Sequence, residues 1–141
     1  MTSTPGTEIC HCLAARRNAR YLSRLYDRYL SAARISVSQF SVLVSISEHP
    51  DISISELAKS MVMERTTLVR ALKPLQAEGF IDSRAEGQRF ALRFTLSPAG
   101  KAKVSECEPY WAAAQNEYES SVGRRMAVSI RESLLASVNV E

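Results

Sequence analysis

Residues 53–81 read SISELAKSMVMERTTLVRALKPLQAEGFI, and the punctuation of this stretch decides the architecture. Ser53-Ile54-Ser55-Glu56 has the spacing of a capping box, in which a hydroxyl accepts from the third helical amide and the acid three residues on answers the cap's own N–H. It predicts a short helix to about residue 60 with Ile54, Leu57, Ala58 and Met61 as its apolar side. After a turn over 61–63, a second helix is expected over 64–78, with Leu68, Ala71, Leu72 and Leu75 facing inward. Gly79 supplies the residue type that accepts a left-handed backbone past a helix end. Pro74 cannot donate to the Arg70 carbonyl and crowds it, which predicts a bend or a loosened last turn.

Downstream, Phe80-Ile81 and then Phe90, Leu92, Phe94 and Leu96 alternate with Arg89, Ala91, Arg93 and Thr95, the period of a half-buried strand. With Glu86-Gly87 at the turn, this is a hairpin. Ser97-Pro98 gives an N-cap and a first-turn proline for a helix reaching about residue 122, which Pro109 is expected to kink. A last helix over 124–138 carries Ala127, Ile130, Leu134, Leu135 and Val138 on one side. Upstream, Ser36 and Gln39 form a second capping box for a helix to Glu48, closed by His49-Pro50-Asp51. Before it, Ile9, Leu13, Leu22, Leu25, Tyr26, Tyr29 and Leu30 recur at helical spacing over 7–33. The expected fold is mainly α, six helices with a small β-hairpin.

A chain of 141 residues is one domain of ordinary size. No apolar run nears the roughly 18 residues of a membrane span. The first residues have neither a secretion nor a transit pattern, so no membrane partner and a cytoplasmic location are expected. The net charge of +3 is modest but segregated. Six arginines and one acid lie between Arg16 and Arg34, whereas 106–119 holds four glutamates and no Lys or Arg. Such segregation suits a protein presenting selected faces to a polyanion, and equally a solvated helix face. Only His11 and His49 are available as histidines, no glycine-rich phosphate loop occurs, and no Ser or Cys has a recognisable base beside it. An enzyme is not expected, nor a cofactor.

Two short capped helices, a tight turn, then Gly and a hairpin outline a winged helix-turn-helix. The second helix of that motif fits the major groove and presents its N-terminal side chains to base edges. Arg65, Thr66, Thr67, Arg70 and Lys73 are the candidates on that helix. An arginine offers a fork to guanine or to phosphate, and which of the two arginines reads a base is left open. The hairpin's outward row, Arg84, Arg89 and Arg93, is a second candidate contact with phosphate or a narrow minor groove, Arg89 being nearest the turn.

The chain resembles the MarR family of transcription regulators. The matching residues are Ser55-Glu56-Leu57-Ala58, Arg65-Thr66-Thr67-Leu68-Val69-Arg70, Leu75, Gly79-Phe80-Ile81 and Thr95-Leu96-Ser97-Pro98-Ala99-Gly100. Leu25-Tyr26-Asp27 and Gln39-Phe40 extend the likeness to nearly the whole chain. The resemblance implies a single MarR-like domain over 1–141: a DNA-binding lobe over 36–96 and a helical dimerisation region from 7–33 and 98–138. It further implies a homodimer on a pseudo-palindromic duplex, with half-sites about 34 Å apart, and a repressor is the expected role. Where the family's wing carries Asp followed by Arg, this chain has Gln88 before Arg89.

Relatives of this kind respond to a small molecule in the cleft between the two regions or to thiol oxidation. Three cysteines in a chain of this type do not form a disulfide framework. Cys12 precedes Tyr26 by 14 residues, a spacing that resembles the peroxide-sensing branch of the family, although Arg16 and Val37 stand at its other tyrosine positions. The resemblance also suggests Cys107 meeting Cys12 of a second subunit. Cys10-His11-Cys12 suits zinc or copper by ligand type, but residues two apart on one helix point about 200° apart. Tyr21, Tyr29, Tyr110 and Trp111 are candidates to line an effector pocket or to fill the core. The alternative reading is a winged-helix dimer that acts as a protein-interaction module without specific DNA binding.

Overall fold

The computed structural model describes residues 6–87 and 91–138. In chain order the elements are α1 (His11–Leu30), a 3-10 turn (Ser31–Ala33), α2 (Val37–Glu48), β1 (Ile52–Ser53), α3 (Ile54–Met61), α4 (Arg65–Ala77), β2 (Ile81–Glu86), β3 (Ala91–Leu96), α5 (Pro98–Val122) and α6 (Arg124–Ser137). Six helices and a small antiparallel sheet result, as the periodicity predicts, with local corrections that have physical causes.

The first helix begins at His11 and not at residue 7, because Cys10 takes the N-cap and its Sγ accepts from the Leu13 N–H at 3.4 Å. It ends at Leu30, tightens into the 3-10 turn, and is stopped by Arg34 at φ 56°. At α2 both halves of the capping box form: Gln39 N–H donates to the Ser36 hydroxyl at 3.1 Å and Ser36 N–H donates to Gln39 Oε1 at 3.0 Å. Asp27 adds a third acceptor, taking the Val37 N–H at 2.7 Å and tying α1 to the start of α2. At Ser53 the hydroxyl caps Glu56 N–H at 3.1 Å.

The sheet has three strands in the order β1-β3-β2, one more than the expected hairpin. β1 is two residues long, paired Ile52↔Phe94 and Ser53↔Arg93, too short to show alternation in sequence. It nevertheless joins the helix-turn-helix to the wing, since Ser53 is also the N-cap of α3.

Between α3 and α4, Val62 adopts φ 54°, with its N–H donating to Lys59 O and the Met63 N–H to Ala58 O. Those two bonds close the helix end in the manner usually built on glycine. The same pair of bonds ends α4, from Gly79 N–H to Gln76 O and from Phe80 N–H to Leu75 O, each 3.0 Å. α4 continues through Pro74 and α5 through Pro109; no break marks either proline.

The core lies in the winged lobe. Phe40, Leu43 and Ile46 of α2, Leu57 of α3, Leu68, Leu72 and Leu75 of α4, and Phe94 of β3 form one buried cluster. Leu30, Ala33, Ile35 and Cys107 join it from outside 36–96. α6 has no buried residue; Met126, Leu134 and Leu135 stand exposed along it, and Val138 just past its end. Among the described residues no single helix is long and apolar enough to cross a membrane.

Candidate nucleic-acid interface

Burial of Leu68, Leu72 and Leu75 fixes the rotation of α4, and everything opposite them is forced outward. At about 100° per residue, positions 65, 66, 69, 70 and 73 fall within an arc of about 140°. They meet in the structure as one shallow surface hollow lined by Arg65, Thr66, Val69, Arg70 and Lys73. Four of the five sequence candidates on this helix are therefore together. Thr67 is exposed but lies on the flank, outside that lining. Val69, 38% exposed at the centre of the face, was not among the candidates. Its spacing of four from both Arg65 and Lys73 is the signal that places it there. Three cations around a methyl-bearing patch can bind phosphate and touch a thymine methyl.

The wing presents its arginines differently. Arg84 Nε donates to Asp51 Oδ1 at 2.8 Å and its Nη2 to Oδ2 at 2.5 Å, a bidentate pair. Arg93 is half-buried and its Nη1 donates to the Asp51 carbonyl at 3.0 Å. Asp51 thus engages both at the base of the wing, Arg84 staying exposed and Arg93 half-buried. The guanidinium of Arg84, hydrogen-bonded to Asp51, holds that carboxyl below its ordinary pKa, against an opposing effect of burial. Arg89 and Gln88 lie outside the described residues.

The thiols fall into two environments. Cys12 is exposed and Cys10 half-buried at the start of α1, whereas Cys107 is fully buried in the lobe core. Burial pushes the Cys107 thiol pKa up. This corrects the expectation that Cys107 meets a second subunit's Cys12, since core packing covers it. Tyr26 shares α1 with Cys12. It lies about 21 Å along α1 from Cys12 at 1.5 Å per residue, and its hydroxyl donates to Gln115 Oε1 across to α5. Tyr29 donates to Glu117 at 2.9 Å, beside an Arg28–Glu117 pair at 3.1 Å. Among the described residues no group of three or more His, Cys, Asp or Glu is placed to hold a metal.

A cavity of about 230 Å³ opens between α1, α5 and α6, lined by Leu22, Tyr26, Tyr118, Ile130, Arg131 and Leu135 among others. Of the aromatic candidates, Tyr21 and Trp111 are exposed, Tyr110 packs on the lobe core, and Tyr29 bonds Glu117, so none of the four lines this cavity.

Known proteins share both the sequence pattern and the architecture. The MarR family model matches residues 35–86. The HTH-type transcriptional regulator YybA of Bacillus subtilis is 32% identical over 85 residues, 60% of this chain, and the chain spans 56% of that regulator's length. The transcriptional regulator MosR of M. tuberculosis, in complex with DNA, is 33% identical, with 90% of this chain and 97% of that chain covered and a TM-score of 0.74. The transcriptional repressor CouR of Rhodococcus jostii RHA1, bound to a 23-mer DNA duplex, has a TM-score of 0.82 over 95% of this chain and 98% of that chain. At 17% identity it shows the fold alone. The exposed basic face of α4, the three-stranded wing beside it and a relative matched over nearly its whole length agree: the chain belongs to the MarR family, whose members are DNA-binding transcription regulators and not enzymes.

Proposed function

We propose that the chain is a repressor that binds a pseudo-palindromic duplex as a homodimer and releases it on binding a small effector or on thiol oxidation. The observation that carries this reading is the α4 face, where Arg65, Thr66, Val69, Arg70 and Lys73 are exposed together while Leu68, Leu72 and Leu75 anchor the helix behind them. A buried stripe opposite a basic one sets a helix on the lobe surface in an orientation that suits a groove. The lobe over 36–96 carries the contacts, and the helices over 7–33 and 98–138 carry the pairing, Met126, Leu134 and Leu135 among their apolar residues being left open by a single chain. The effector site is the cavity between α1, α5 and α6, and the oxidisable thiols are Cys12 and Cys10.

The test is a salt titration of binding to a duplex that the protein itself recovers from a random-sequence pool. Affinity should fall steeply as salt rises, because each neutralised phosphate releases counterions. Arg70→Ala should cost about 1–3 kcal/mol if Arg70 reads a base, or lower the salt slope by about one if it meets phosphate. Weak binding that is equal for every sequence, unaltered by Arg70→Ala, would instead identify a protein-interaction module.

A further inference from the structure

The wing leaves the lobe at a single row of the sheet. β1 supports β3 only at Phe94 and Arg93. β2 and β3 continue outward as a two-stranded ribbon through Ala85↔Leu92 and Glu86↔Ala91. Arg84 and Arg93 face each other across the last row that β1 supports. Residues directly opposite on an antiparallel pair project from the same face with Cβ atoms about 5 Å apart, so two cations there repel. Asp51, the residue before β1, answers both: its carboxylate takes Arg84 in bidentate fashion and its carbonyl takes Arg93.

We propose that Asp51 is a positioning residue for DNA binding, clamping the Arg84–Arg93 row and so setting the angle at which the two-stranded part of the wing meets the duplex. This rests on the DNA-binding reading above. The clamp spans the whole sheet, from the β1 edge over β3 to β2, two steps of about 4.8 Å each. Position 51 suits an aspartate for a second reason, since its φ of 66° is one that Asp and Asn tolerate better than other side chains. The Arg84 and Asp51 side chains are 53% and 42% exposed, and pairs so exposed add little to global stability. What the pair contributes is geometry.

Charge and geometry predict opposite signs, which makes the idea testable. An acid near a polyanion repels it, so Asp51→Asn should tighten binding if Asp51 is a bystander. Asparagine keeps the shape and the tolerance of positive φ and removes only the charge. With the duplex recovered from the random pool, we expect Asp51→Asn to bind about fivefold more weakly with its melting temperature unchanged. Arg84→Gln should lose as much, should add nothing in the Asp51→Asn background, and should keep the wild-type salt slope. Equal or tighter binding by Asp51→Asn overturns the proposal, as does a salt slope lowered by about one in Arg84→Gln, the mark of a phosphate contact.

A measurement without DNA separates the clamp from the reading it rests on. The Arg84 Nε–H should exchange slowly with solvent in the wild type and fast in Asp51→Asn. Fast exchange in the wild type overturns the clamp. A wild type that binds no duplex while that proton stays protected overturns the DNA-binding reading, and the positioning role with it, but leaves the clamp standing.

Discussion

A β-carbon built at Gly100 would lie 2.1 Å from the Phe80 carbonyl oxygen. Backbone cannot yield that distance cheaply, because the same carbonyl accepts the Ser97 N–H at 3.0 Å and the Ser97 hydroxyl donates to Gly79 O at 2.5 Å. The start of α5 is thus fastened to the corner that ends α4, and glycine is what permits the approach. Gly100→Ala is expected to destabilise the chain by about 2–3 kcal/mol through overpacking, read as a lowered urea midpoint at unchanged slope. The Ser97-Pro98 start of this helix is legible from local spacing alone, but the need for glycine depends on a residue 20 positions earlier. The same limit applies to the wing arginines. Alternation places Arg84 and Arg93 on one face correctly, yet nothing near them in sequence names Asp51, which lies 33 residues before Arg84. Val69 is the opposite case: helical spacing alone places it between Arg65 and Lys73.

Helices bounded by strong caps were readable to within a residue or so, α2 from Ser36 and α5 from Ser97 among them. The start of α1 was not, because a cysteine caps it and thiols are weak acceptors that sequence rules do not count as caps. β1 escaped because two residues carry no period, and only its pairing with β3 makes it a strand. The N-terminal end of α1 also bears on switching. Cys10 spends its sulfur on the Leu13 N–H, so oxidising it would disturb the cap, while the neighbouring exposed Cys12 is open to reagent. Cys107, whose thiol is held protonated by burial, is the unreactive member. If oxidation is the switch, peroxide should release DNA from the wild type and from Cys107→Ala alike, and Cys12→Ser should hold it. Anisotropy of a labelled duplex during peroxide addition reads all three, and equal release from Cys12→Ser and the wild type would assign the switch to the effector cavity instead.

One chain finishes its winged lobe and leaves its other end open. Leu43, Ile46, Leu57 and Leu68 are fully buried without help, whereas Leu134 and Leu135 are 44% and 70% exposed on a helix with no buried residue. Amphipathic periodicity made both facts legible in the sequence, since it marks which residues seek burial; it does not say against what. A second copy is the occupant proposed above, and such an interface needs roughly 1,000 Å² or more to persist. Replacing both leucines by glutamate should therefore separate the copies without unfolding the lobe. Sedimentation should show a dimer for the wild type and a monomer for the double variant, with helical circular dichroism largely retained and a melting temperature that no longer rises with concentration. Two lobes tethered in one dimer raise each other's local concentration at paired half-sites, so the monomer should bind the same duplex roughly 100-fold more weakly. A double variant that stays dimeric would move the interface off α6, and one that turns monomeric yet binds equally well would show that each lobe reads DNA alone.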